Sequence, residues 1–65
     1  MDMEITEQDI CHLRDEAAMA RDEDMAQICR IALRDEPPTD QWGNLGAWAE
    51  CERVITEAAD AAREH

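Results

Sequence analysis

Cys11, His12, Cys29 and Cys51 give this chain three thiols and an imidazole, the donor types of a structural zinc site. Such sites usually draw ligands from a close pair such as Cys-x-x-Cys, and no two of these thiols lie within a helical turn of each other. Cys29 and Cys51 fall instead on apolar stripes, where a thiol acts as a small hydrophobe. Core cysteines are expected, with a metal-binding protein of three Cys ligands and one His as an alternative. Neither a basic neighbour nor a Cys-x-x-Cys motif is read as lowering a thiol pKa, so redox chemistry is not expected. Catalysis has as little to work with: Ser and Tyr are absent, and His12 and His65 have no visible triad partner. Asp22-Glu23-Asp24 offers the carboxylates of a calcium loop without its spacing. Such a loop needs Gly at its sixth position and Glu at its twelfth, where Gln27 and Leu33 stand. A helix-capping turn fits these acids better, and the chain reads as non-enzymatic and without a cofactor.

The carboxylates are the larger chemical resource. Seventeen Asp and Glu face six basic residues, all Arg, for a formal net charge of −11. A chain so charged repels nucleic acid and anionic membranes and favours basic partners, while its self-repulsion opposes compaction. Pairing within a helix neutralises few of the acids, chiefly Glu50 with Arg53, Arg53 with Glu57 and Asp60 with Arg63. In an up-down-up bundle, Asp15, Glu16, Asp22, Glu23 and Asp24 gather with Asp60 and Glu64 at the hairpin end. Asp35, Glu36 and Asp40 gather with Asp2, Glu4, Glu7 and Asp9 at the other. Asp35 and Glu36 are expected at the C-terminus of the second helix, where the macrodipole disfavours each anion by about 0.3–1 kcal/mol. A placement that costs stability points to a use. The acids are read either as a solvated surface that keeps a small protein dispersed or as a decoy. Duplex DNA carries about one negative charge per 1.7 Å of axis, and helix-borne carboxylates can occupy a groove shaped for phosphates.

The elements that must position these groups are helices. Ala, Glu, Asp, Arg, Met and Leu dominate, Phe and Tyr are absent, and Gly and Pro number two each, which makes the class all-α. Sixty-five residues allow one domain at most, and a chain this short buries only about 60% of its unfolded surface. Met25 to Leu33 is the most apolar run and predicts a central helix, with Met25, Ile28, Cys29 and Ala32 as its stripe and Ile31 and Leu33 widening it. Ahead of it, Thr6 and Asp9 read as a capping box and Ile5 and Ile10 as a hydrophobic staple, opening a helix that buries Ile10, Leu13, Ala17 and Ala20. Arg21-Asp22-Glu23-Asp24 interrupts the pattern and predicts a hairpin, the alternative being one helix continuous from Thr6 to Glu36. Pro37-Pro38 is the expected stop of the second helix. Helices are placed at about 7–20, 23–36 and 45–63, forming a compact three-helix bundle of a helical hairpin plus a C-terminal helix.

Between the last two helices, 39–46 reads as a connector with a single turn at Asp40 to Trp42, then Gly43-Asn44 as stop and cap. Trp48, Cys51, Ile55, Ala58 and Ala62 form the third helix's stripe, flanked by Leu45, Val54 and Ala59, with Trp48 as its core anchor. Trp42 either caps the bundle end or stands exposed as an interface anchor. No apolar run approaches the roughly 20 residues of a membrane span. Met-Asp-Met-Glu-Ile-Thr lacks the basic and apolar regions of a signal peptide, so a cytoplasmic location is expected.

Ile10-x-x-Leu13-Arg14-x-Glu16-Ala17, Met25-x-x-Ile28-Cys29-x-x-Ala32-Leu33 and Ala49-x-Cys51-x-x-Val54-Ile55 together resemble the small acidic helical proteins encoded by phages and prophages. Those proteins often carry Ala-Gly-Asp between their first two helices, where this chain has Ala20-Arg21-Asp22. By size, acidity and suspected origin the chain also resembles anti-CRISPR inhibitors, several of which mimic DNA or plug an effector complex. The net charge, the unpaired carboxylates and this resemblance together lead to the expectation of a monomer or homodimer, in the host bacterial cell, that binds a basic nucleic-acid-binding protein such as a CRISPR effector complex and touches neither nucleic acid nor membrane. The residues expected to meet the partner are Asp15, Glu16, Asp22, Glu23, Asp24, Asp35, Glu36, Asp40 and Trp42. The alternative is a small interaction module whose apolar surface centres on Trp42.

Overall fold

Three helices, α1 (Glu7–Met19), α2 (Glu23–Ala32) and α3 (Asn44–Arg63), are the regular elements of the computed structural model, which describes residues 4–63. The all-α three-helix architecture is as the periodicity predicts. Helix α1 opens on the expected capping box: the Asp9 N–H donates to Thr6 Oγ1 at 3.3 Å and the Thr6 N–H to Asp9 Oδ2 at 2.9 Å. Aspartate, one methylene shorter than the usual Glu, still reaches. Ile5 and Ile10 are both buried beneath this turn, as a staple requires.

The hairpin, not the continuous helix, is the path the chain takes. Past the α1 C-cap at Ala20, Arg21 adopts φ 59°, and the Arg21 and Asp22 N–H groups donate to Ala18 O and Ala17 O at 3.1 and 2.8 Å. This is a complete Schellman closure with Arg where Gly is usual. Asp22 then serves α2 as N-cap, accepting the Met25 N–H on Oδ1 at 3.2 Å. One aspartate thus ends one helix with its backbone and starts the next with its side chain.

A non-glycine residue in the left-handed region costs about 1–2 kcal/mol, offset in a Gly variant by the extra freedom of the unfolded chain. Arg21→Gly is therefore expected to stabilise the fold by about 0.5–1 kcal/mol, a rise in Tm of about 2–8 °C for a domain of this size. Thermal melts of Arg21→Gly and Arg21→Ala decide it. Both remove the charge and only Gly relieves the backbone, so equal melting temperatures would show that no strain is held there.

Helix α2 is shorter than its apolar pattern and its prolines predict. It ends at Ala32 with Leu33 as C-cap, not at Glu36, because Arg34 takes φ 65° and repeats the Schellman closure. Arg34 and Asp35 donate to Ile31 O and Arg30 O at 3.1 and 2.8 Å. The left-handed residue stops the helix before Pro37-Pro38 can. Asp35 and Glu36 consequently lie beyond the helix end rather than in its last turn.

Asn44 was expected to cap α3, but it is already the first helical residue, and the Gly43 carbonyl accepts the Ala47 N–H at 2.9 Å. The Asn44 side chain turns to the neighbouring helix instead, its Nδ2 donating to Ile31 O at 2.8 Å. The Ile31 carbonyl, which already accepts the Arg34 N–H, gains a second donor, and α3 is tied to the end of α2.

Helix α2 packs against both α1 and α3, which touch each other much less. It contributes Ala26, Ile28, Cys29, Ile31 and Ala32 to the buried set, to which α1 adds Ile10 and Ala17 and α3 adds Ala47 and Cys51. The α2 stripe holds and the α1 stripe holds but for Ala20, whereas of the predicted α3 stripe only Cys51 is fully buried. Ala47, outside the predicted α3 stripe, is fully buried, whereas Trp48 is half-buried at the core edge and Ala58 and Ala62 are exposed. A methyl group lets α3 approach α2 closely where an indole would hold it away. Ala20 is exposed as well, because the Schellman turn lifts it off the α1 face.

Candidate functional site

Thr39 to Trp42 forms a small closed loop rather than a helical turn. The Thr39 N–H donates to Trp42 O at 2.8 Å, and the Trp42 N–H donates to Thr39 Oγ1 at 3.0 Å. The connector brings this loop alongside the start of α2. There Asp40, Trp42, Thr39 and Gln41 line an open groove of about 540 Å³ with Asp24, Gln27 and Ile28. Asp40, expected at the end of the bundle away from the hairpin, therefore shares a wall with Asp24. Both carboxylates are exposed and have no salt-bridge partner among the described residues. Trp42 is half-buried and packed against the core, so the indole forms a fixed wall of the groove and does not stand free in solvent. Of the two expectations, the freely exposed anchor is the one that this packing does not fit.

The other expected partner residues are dispersed. Asp22 and Glu23 line a separate hollow of about 140 Å³ that also contains Arg21 and Arg30, so cations accompany those acids. Arg14 lies 3.8 Å from Asp15 and 3.6 Å from Asp35, and Arg30 Nε donates to Glu36 Oε1 at 2.6 Å. Asp35 and Glu36, expected to be unneutralised, are thus paired. The reversal at Arg34 brings Glu36 back to Arg30, six positions earlier, and Asp35 to Arg14 of α1. Glu16 lies in a third groove with Asp9, His12, Leu13, Val54, Ile55 and Ala58.

Of the nine residues, the structure gathers Asp24, Asp40 and Trp42. Gln27, Ile28, Thr39 and Gln41 complete the wall and were missed. Gln27 and Ile28 follow Asp24 by three and four positions, a local signal that was available; the apposition of 39–42 had none.

The predicted intrahelical pairs of α3 are present. Arg53 grips Glu50 as a fork, Nε to Oε1 at 2.9 Å and Nη2 to Oε2 at 2.7 Å, and reaches Glu57 at 3.0 Å. These bonds hold the Glu50 carboxyl below the usual carboxylate range and raise the Arg53 guanidinium further. On so exposed a surface the pair adds little stability. Its effect is to remove Glu50 and Glu57 from the free acids. The large apolar side chains most open to solvent are Met19 at 86% and Leu45 at 83% exposure, on α1 and α3.

Cys29 and Cys51 are fully buried, with their sulfurs 3.8 Å apart across the α2–α3 interface. The Cys51 thiol donates to Cys29 Sγ. That bond lowers the Cys29 pKa, helped by Arg14 and Arg30 against the effect of burial, and raises that of Cys51, which must give up the bond to ionise. A depressed thiol pKa was not expected: its largest cause is a partner 22 positions away, and Arg30, adjacent to Cys29, and Arg14 on α1 are the basic neighbours that the sequence reading did not credit. Cys11 is half-buried. Among the described residues no three His, Cys, Asp or Glu side chains stand close enough to hold a metal ion. No protein family, curated protein or solved structure matches the chain.

Proposed function

We propose that this chain is a non-enzymatic acidic inhibitor that occupies the nucleic-acid-binding surface of a basic bacterial protein, an anti-CRISPR protein acting on a CRISPR effector complex being the foremost case. One observation carries the reading: on a chain of net charge −11, Asp24 and Asp40, two carboxylates with no salt-bridge partner among the described residues, line one open groove together with the half-buried Trp42. An arginine that would grip a phosphate can form charge-assisted hydrogen bonds to these carboxylates while its guanidinium stacks on Trp42. The remaining exposed acids add long-range attraction. Inhibition then needs no chemistry, only occupation of a phosphate track by a body that cannot be transported along it. No helix among the described residues is long and apolar enough to cross a membrane.

The test is capture by the tagged protein from a bacterial lysate containing CRISPR effectors, washed at low and at high salt, with bound proteins identified by mass spectrometry. The decoy reading expects a nucleic-acid-binding complex that is held at low salt, released at high salt and displaced by added duplex DNA. Capture that resists both salt and DNA would overturn it and favour an apolar interface.

A further inference from the structure

Two cysteines that approach within van der Waals distance across a helix interface, both fully buried, form a unit that the decoy reading leaves unused. Cys29 lies in the second half of α2 and Cys51 on the second turn of α3, and both belong to one buried cluster with Ile31, Ala32 and Ala47. Their sulfurs need to move about 1.8 Å closer to reach the 2.05 Å of a disulfide. The helices carrying them are already in place, held by Asn44 on Ile31 O. Cys11, half-buried on α1, is no part of the pair.

We propose that Cys29 and Cys51 are a peroxide-closable dithiol whose oxidation locks α3 onto α2. Hydrogen peroxide suits the site because it is uncharged and close to water in size, whereas a bulkier oxidant needs the helices to part. The Cys29 sulfur attacks one peroxide oxygen and breaks the O–O bond; the Cys29 proton leaves with the other oxygen as water, and Cys29 becomes a sulfenic acid. The Cys51 sulfur then attacks the Cys29 sulfur, the S–O bond breaks, and the Cys51 proton leaves with the hydroxyl as a second water. Two thiols are oxidised to one disulfide and one peroxide is reduced to two waters. Cys29 is the first to react because the bond donated by Cys51 favours its thiolate, and Cys51 is already aimed at it. Closing a loop of this length restricts the unfolded chain strongly, so the oxidised form should melt about 10 °C or more above the reduced one.

The experiment treats the full chain with hydrogen peroxide under native conditions and follows intact mass, free thiols after denaturation, and Tm. The proposal expects a loss of two hydrogen atoms, a fall from three thiols to one, peptides 29 and 51 cross-linked, and a rise in Tm that a reducing agent reverses. In Cys51→Ala, which lacks both the activating bond and the resolving thiol, Cys29 should oxidise more slowly and its sulfenic acid should persist, read as one added oxygen on the Cys29 peptide and trapped by dimedone once the chain is unfolded. Oxidation confined to Cys11, or cross-linking of Cys29 to Cys51 only in denaturant, would overturn the proposal. A native cross-link without a higher Tm would overturn the lock.

Discussion

Ile31→Ala is expected to leave the protein largely unfolded at physiological temperature. Ile31 is fully buried on the helix that both others pack against, and it joins Ile10 and Cys51 in one cluster. Truncating such a side chain costs about 2–5 kcal/mol, the lost transfer energy plus a cavity that the surroundings only partly fill. Natural domains hold about 0.05–0.15 kcal/mol per residue, so a chain of this length has little to spare, and its −11 charge subtracts further. Circular dichroism should find a drop in Tm of 10 °C or more, by roughly 4–8 °C per kcal/mol. Met19→Ala, at 86% exposure, should melt as the parent does. An Ile31→Ala protein with an unchanged Tm would mean that α2 is not what holds the helices together.

Reversing the groove charges is the corresponding test of function. Asp24→Lys with Asp40→Lys should weaken binding to the captured target by about a hundredfold. Each reversal replaces an attraction by a repulsion at a desolvated contact, about 1.4 kcal/mol or tenfold apiece. Glu4→Lys with Glu52→Lys changes the net charge equally at exposed positions outside the groove and should cost far less. Asp24 also stabilises the first turn of α2 through the helix dipole, by about 0.3–1 kcal/mol, so each variant is melted before its affinity is compared. Equal loss in the two folded double variants would show that only net charge matters and that the groove has no special part. No loss in either would remove the acidic contact altogether.

Much of the fold was legible because the signals are local. Thr6 and Asp9 state where α1 begins, since a capping box spans one turn, and Met25 to Leu33 states which face of α2 is buried, since a helix repeats every 3.6 residues. The intrahelical pairs around Arg53 follow from the same period. The site was half legible: composition singles out the acids and the two tryptophans, but it cannot say which acids remain unpaired. Asp35 and Glu36 looked free because Arg14 and Arg30 are too far away in the sequence to pair by helical spacing.

By itself, then, the sequence determined the helical class, the first helix start and the central stripe, all through contacts between residues a few positions apart, and left the hairpin open against one continuous helix. Tertiary structure decided the end of α2, the pairing of Asp35 and Glu36, the meeting of Asp24 with Asp40 and the approach of Cys29 to Cys51. These share one physical cause. The chain turns at Arg21 and Arg34 through left-handed residues that carry no glycine to announce them, and every later juxtaposition depends on the direction those two turns impose.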